Sequence, residues 1–190
     1  LAAQLVVGTS GGALLGARLA AGMPVADLAA LVHLAGTAGP GGRAGLPGSV
    51  PAPALARLLA AQLYPSRRHA LAWLGRRARQ EWTPEASARF VAAVAGDLVG
   101  RPWPAALVVV ATDTATGRRA FLSAARPADL AAAVAASCAM PGVLPAVAID
   151  GRLLFDGGLR SPGNLDVAAA ADAVLALAPL TGALRAHGRP

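Results

Sequence analysis

Two short stretches of this chain carry residue types suited to acyl transfer. The first is Gly8-Thr9-Ser10-Gly11-Gly12, which follows the apolar run Leu5-Val6-Val7 and leads into Ala13-Leu14-Leu15-Gly16-Ala17-Arg18-Leu19. A strand, a sharp turn and a helix around G-x-S-x-G make a nucleophile elbow. Such a turn strains its central residue and brings strand and helix close together, so small residues are expected two before and two after the serine. Gly8 and Gly12 supply them. Ser10 is the candidate nucleophile, at a helix N-terminus where backbone N–H groups and the helix dipole favour an oxyanion. The second stretch is Asp156-Gly157-Gly158, directly after Leu153-Leu154-Phe155. An acid at the end of a strand, followed by two glycines that let backbone approach closely, is where a site residue is expected.

The elements that must position these residues follow from periodicity and turn chemistry. An elbow helix from Ser10 to Ala21 is expected to end at Gly22, and Pro24 opens a helical pattern through Val25, Leu28, Leu31, Val32 and Leu34. His33 lies in that pattern without a local carboxylate and reads as structure. Gly36 to Pro53 is dense in Gly and Pro and reads as a surface loop, after which Leu55 to Leu63 is helical. Arg67, Arg68, Trp73, Arg76, Arg77 and Trp82 interleave arginine with indole, a composition that suits an anionic lipid surface. The same stretch also reads as a solvated helix with its tryptophans in the core. Thr83-Pro84-Glu85 opens a further helix toward Leu98.

The period then changes. Ala106 to Ala111 is a valine-rich run expected of a strand buried on both faces, with a turn at Thr112 to Gly117 and a paired strand from Arg118 to Leu122. Asp113 is expected to bond the backbone of its own turn. Pro127 to Ala136 is helical, and Asp150-Gly151 joins Ala146–Ile149 to Leu153–Phe155 as a hairpin. Asn164 to Ala171 reads as helix and Ala173 to Ala178 as another buried strand. Strands separated by helices, with the serine at a strand-to-helix turn, predict one α/β domain over 1–190. It would have three α/β/α layers, a mostly parallel sheet and a loop and helical insertion over 36–98.

Composition narrows the classes. A chain of 190 residues suffices for one core, and its 55% hydrophobic content contains no uninterrupted run of the ~20 residues a membrane span needs. All 17 basic residues are arginine and the formal charge is +7, yet aromatics are 4% and the arginines are dispersed apart from one cluster, so nucleic acid is not expected as a partner. The single cysteine, Cys138, excludes an internal disulfide and is expected to pack as a small hydrophobe; no metal is expected. No signal-peptide pattern opens the chain, which starts without methionine and almost inside a strand, so its natural beginning is expected to lie upstream.

Taken together, the sequence resembles the patatin-like phospholipase family, bacterial type. The likeness rests on Gly8-Thr9-Ser10-Gly11-Gly12, on Ala136-Ser137-Cys138-Ala139-Met140-Pro141-Gly142 with Pro145 beyond, and on Asp156-Gly157-Gly158. Ala111-Thr112-Asp113 through Gly117 and Asn164-Leu165-Asp166 support it. The resemblance implies a serine–aspartate dyad that needs no histidine and no cofactor. Ser10 would attack the ester carbonyl of a phospholipid or other acyl lipid, and Asp156 would accept its proton. Gly11 would offer a backbone N–H to the oxyanion. Apart from the resemblance, the lack of a signal-peptide pattern gives a cytoplasmic location as the expectation, with peripheral membrane contact through the Arg67 to Trp82 stretch as one reading of it. The family's glycine-rich oxyanion loop precedes the elbow and would lie upstream of this chain; Gly39 to Gly45 follows the elbow and does not take that role. Two alternatives stand beside the dyad: a Ser10, Asp156 and His187 triad, with His187 in an unpatterned tail, and a catalytically silent membrane-surface module of the same fold.

Overall fold

The structure, a computed structural model, describes residues 3–30, 51–61, 63–125, 128–161 and 163–177. The valine-rich run becomes β2 (Leu107–Asp113), whose residues are buried on both faces apart from half-buried Val108. Around it stand β1 (Val6–Thr9), β3 (Arg119–Ser123), β4 (Val147–Ile149) and β5 (Arg152–Asp156). Residues 108–112 of β2 pair with β3 throughout. One stretch of a strand edge holds one neighbour, so β1, paired to Leu107–Val110, and β5, paired to Ala111–Asp113, share the opposite edge. They meet there end to end: Thr9 is in register with Val110 and Asp156 with Ala111, the next residue along. This meeting of two strand ends positions the candidate site.

The sheet is mixed. The expected parallel pairing is realised between β1 and β2, the pair that carries the elbow. The β2–β3, β2–β5 and β4–β5 ladders are antiparallel. Parallel neighbours need a crossover of a dozen or more residues, whereas the turns at Thr114–Arg118 and Asp150–Gly151 are far shorter and make β2–β3 and β4–β5 hairpins; β5 reaches β2 by a longer route through β3, a helix and β4.

Helices cover the face that carries Val6, Gly8, Leu107, Val109, Ala111 and Leu154. The elbow helix α1 (Gly11–Ala20) lies close enough that a side chain at Gly16 would meet Val6 at 3.2 Å. Residues 25–30 are helical, as Pro24 predicts. Then come α2 (Ala52–Ala61), α3 (Arg67–Glu81), α4 (Pro84–Ala95) and α5 (Leu130–Cys138). Helix α5, alanine-rich and almost wholly buried, packs on β2, β4 and β5, with α4 against it. The helix starts are local chemistry: Ser66, Thr83 and Asp129 each accept a backbone N–H of the first turn, and Pro84 follows Thr83 as expected. Arg18 is buried on α1, its guanidinium forked onto Asp97 at 2.6 and 2.9 Å with further bonds to the Leu14 and Val94 carbonyls. The fold is α/β, consistent with the three-layer α/β/α arrangement.

Two expected elements differ. The 164–171 helix is a single 3-10 turn, Leu165–Ala168. Residues 173–177 form no strand and are exposed, Leu175 by 86% and Leu177 by 84%. The segment joins none of the four ladders of the sheet, and an apolar run without a ladder partner stays irregular chain. Most of the 36–53 loop, with His33, Ala178 and His187, lies outside the described residues.

Candidate active site

Ser10 sits between β1 and α1 with φ 52° and ψ −127°, the strained conformation an elbow requires of a residue that is not glycine. The tightness has a visible cause at Gly8, where a Cβ would lie 2.5 Å from the Ala13 Cα. Gly12 departs from the expectation that both flanking residues must be small. A Cβ there meets nothing within 4 Å among the described residues, and the same holds at Gly11. The Ser10 carbonyl accepts from the Ala13 and Leu14 N–H groups and so starts α1. Its hydroxyl makes no cap and donates instead to Asp156 Oδ2 at 2.8 Å.

Asp156 is buried and held on all sides. Its N–H donates to the Ala139 carbonyl at 3.0 Å, and its own carbonyl accepts from Thr112 Oγ1 at 3.1 Å. Its second carboxylate oxygen, Oδ1, accepts from the Gly158 N–H at 2.7 Å. Of the two glycines after it, Gly157 is sterically required, whereas Gly158 is only tightly placed. A Cβ at Gly157 would stand 2.2 Å from the Val110 carbonyl oxygen, and one at Gly158 would stand 3.1 Å from Asp156 Oδ1. Burial pushes the Asp156 carboxyl up to about 6, against the opposing pull of the Gly158 N–H and the Ser10 hydroxyl.

That shift makes a stability prediction. A folded-state value above the unfolded 3.8 means that the native protein holds the proton more tightly than the unfolded chain. The stabilisation from this linkage is fully present below 3.8 and is lost as pH rises through about 6. Asp156→Asn avoids the buried charge while its amide can still accept from Gly158 and donate to Ser10. It should therefore melt above the parent at pH 8, by up to roughly 3 kcal/mol in stability, and the gap should close near pH 4. A variant less stable than the parent at pH 8 would show that burial is not the dominant cause.

The remaining expected residues divide. Asp113 closes its own turn, Oδ1 accepting from the Ala115 and Thr116 N–H groups and from Thr116 Oγ1. Cys138 is half-buried on α5 and its thiol is pushed up to about 12 by burial and by the Asp156 charge, so it stays protonated. On α3 the two halves of the arginine and tryptophan pattern separate. Arg67, Arg68, Arg76 and Arg77 are exposed, whereas Trp73 is half-buried against the core and its ring lies 5.7 Å from that of Tyr64. Trp82 is half-buried, its Nε1 enclosed and without a partner among the described residues. The Arg67 guanidinium donates to the Arg160 carbonyl at 2.9 Å, which brings the N-terminus of α3 to the segment just after Asp156. His69, the one histidine among the described residues, is exposed and pairs with Ser66.

Two polar residues at the site had no assigned role from sequence. Ser137 is fully buried and accepts the Ser10 N–H at 2.8 Å. Asn164, also fully buried and in the left-handed conformation, donates to Thr9 Oγ1 at 3.0 Å and to the Ser161 carbonyl at 2.8 Å, while Arg119 donates to its Oδ1. Both stand in the stretches that carried the resemblance, but a serine at a helix end and an asparagine after Pro-Gly are also ordinary capping and turn residues. Only their partners distinguish them.

The arrangement is a serine hydroxyl on a strained elbow, bonded directly to a buried carboxylate of raised pKa, with no histidine among the described residues beside it. That is the equipment for nucleophilic attack with carboxylate base assistance. No curated protein matches the chain. The family model described as patatin-like phospholipase matches residues 1–169, a span that takes in the elbow, Ser137, Asp156 and Asn164. With a match over most of its length, the chain belongs to the patatin-like phospholipase family, a family of lipid acyl hydrolases.

Proposed function

We propose that the protein is a serine hydrolase that cleaves carboxylic esters of phospholipids or related acyl lipids through a Ser10–Asp156 dyad. The observation that carries this reading is the 2.8 Å hydrogen bond from Ser10 Oγ to Asp156 Oδ2. As Ser10 Oγ attacks the ester carbonyl, its proton passes to Asp156 Oδ2. The tetrahedral oxyanion takes the N–H of Gly11, which as the first residue of α1 has no intrahelical acceptor. Collapse breaks the ester C–O bond, and the departing alcohol leaves with the proton from Asp156. Water then attacks the acyl-enzyme with Asp156 again taking the proton, and the fatty acid leaves as Ser10 Oγ regains it. A carboxyl near 6 is a stronger base than an ordinary aspartate and still ionised at neutral pH, as general-base work requires.

The test is labelling with a fluorophosphonate probe, alongside fatty-acid release from phospholipid vesicles. The parent should react and release fatty acid; Ser10→Ala should do neither. A parent inert to both would favour the silent-module alternative. The turnover of a soluble ester should climb about tenfold per pH unit below about 6 and level off above it, because only ionised Asp156 accepts a proton. A rate that is flat from pH 4 to 8 would remove Asp156 from the base role.

The exposed arginines of α3 support a lipid-surface contact for the same enzyme. No described helix is long and apolar enough to cross a membrane, so the contact would be peripheral. Binding to vesicles rich in anionic lipid should weaken steeply between low and physiological salt, where the Debye length falls to ~8 Å. Arg76→Glu with Arg77→Glu should weaken it further. Salt-independent binding, or none, would leave α3 an ordinary solvated helix.

A further inference from the structure

The C-terminal end of α5 holds both halves of the proposed dyad. Ser137 Oγ accepts the Ser10 N–H at 2.8 Å and donates to the Val110 carbonyl at 2.7 Å. Two residues on, the Ala139 carbonyl accepts the Asp156 N–H at 3.0 Å. Because the Ser137 proton is committed to Val110, its lone pair is the part that faces Ser10. The hydroxyl therefore has a fixed direction: Ser10 N–H to Ser137 to Val110. Val110 is the register partner of Thr9, so the bond closes a loop through β1, β2 and α5 around the elbow. The strained φ of 52° at Ser10 needs such over-determination to persist. The sequence gap from Ser10 to Ser137 is 127 residues, so no local effect produces this contact.

We propose that Ser137 is a positioning residue for the reaction: by anchoring the Ser10 N–H to β2, it sets the direction of Ser10 Oγ toward Asp156. It touches neither substrate nor the reacting oxygen and acts only through the Ser10 backbone. Turning the Ser10 N–H into the core also reserves the oxyanion for the N–H of Gly11. With alanine at 137, the Ser10 N–H and the Val110 carbonyl lose a buried partner, the elbow relaxes, and the hydroxyl spends less of its time on the carboxylate. A displacement of this kind lowers kcat and leaves KM almost untouched, since the groups that bind substrate are unchanged.

This inference rests on the reading of Ser10 as the nucleophile, and the experiment separates the two. Soluble-ester kinetics are measured well below the melting temperature for the parent, Ser10→Ala, Ser137→Ala, Ser137→Cys and Ala133→Gly. The last destabilises α5 at a fully buried position without removing a polar bond. Ser137→Ala should lower kcat about 10- to 100-fold with KM changed less than about twofold. Its ascending pH limb should move upward, because a loosened Ser10 hydroxyl no longer holds Asp156 down. Ala133→Gly should keep the parent kcat and pH limb. Should Ser137→Ala fail to fold, Ser137→Cys, similar in size with a weaker acceptor, should show the same changes to a smaller extent. Full parent kcat in either folded Ser137 variant, or an equal loss in Ala133→Gly, would overturn the positioning role. Activity surviving in Ser10→Ala would instead overturn the proposed function itself.

Discussion

Asp156→Asn should lose turnover of p-nitrophenyl butyrate about as completely as Ser10→Ala, on the order of 10³-fold or more, while His187→Ala should leave it unchanged. The asparagine side chain keeps the shape of the aspartate and the Gly158 bond, so the fold and the strand pairing survive. What disappears is the only acceptor of the Ser10 hydroxyl among the described residues, at 2.8 Å. Without it, attack requires the serine to lose its proton to bulk water, for which a hydroxyl is a poor acid at neutral pH. Residues that act as one unit show non-additive losses, so the double variant Ser10→Ala with Asp156→Asn should be no slower than either single one. His187 carries the decision between dyad and triad. In a triad the imidazole takes the proton and the acid only orients it, so removing the imidazole would cost as much as removing the serine. A loss of that size in His187→Ala, with an unchanged melting profile, would exclude the dyad. Direct contact between hydroxyl and carboxylate leaves no space between them for a ring.

Gly75→Ala should be the most destabilising Gly→Ala change among the described residues. Gly75 lies within α3, where a Cβ would stand 1.9 Å from the Thr114 carbonyl oxygen, 2.6 Å from its carbonyl carbon and 2.7 Å from its Cα. All three atoms are backbone of the turn after β2, so no side chain can rotate aside. Relief demands that the whole helix withdraw, and with it Leu71 and Leu74, which are buried in the core. Overpacking of this kind costs roughly 3 kcal/mol or more, a drop of about 10 °C in melting temperature for a chain of this length. Because α3 also reaches Arg160 through Arg67, the segment next to Asp156 should loosen as well. Gly12→Ala is the comparison. It adds the same methyl to helical backbone with nothing within 4 Å among the described residues, and should melt at or slightly above the parent. Equal effects at the two glycines would mean that α3 is not seated on the β2 turn.

The contrast between those glycines marks the boundary of what the sequence by itself determined. Ser10 and Asp156 were legible because their signals are local: an apolar run, a glycine two residues before the serine, and two glycines after the acid. The hairpin at Asp150–Gly151, the cap at Thr83 and the self-bonded turn at Asp113 were legible for the same reason, since each is a short-range hydrogen-bond or φ requirement. Gly12 and residues 173–177 mislead because a local pattern records what a segment can do. Whether a methyl is forbidden, or an apolar run becomes a strand, depends on which neighbour arrives. Gly75, Ser137 and Asn164 carry no distinctive local signal and acquire their roles from Thr114, Ser10 and Thr9. Above all, the two local patterns offered a serine and an acid, and only the family resemblance put them within reach of each other. Tertiary structure decided their contact, by seating β1 and β5 end to end on one edge of β2 so that residues 146 apart form a hydrogen bond. The physical reason is that strand register is set by the summed pairing and burial along β2, a cooperative quantity to which no single residue of the site contributes more than a small part.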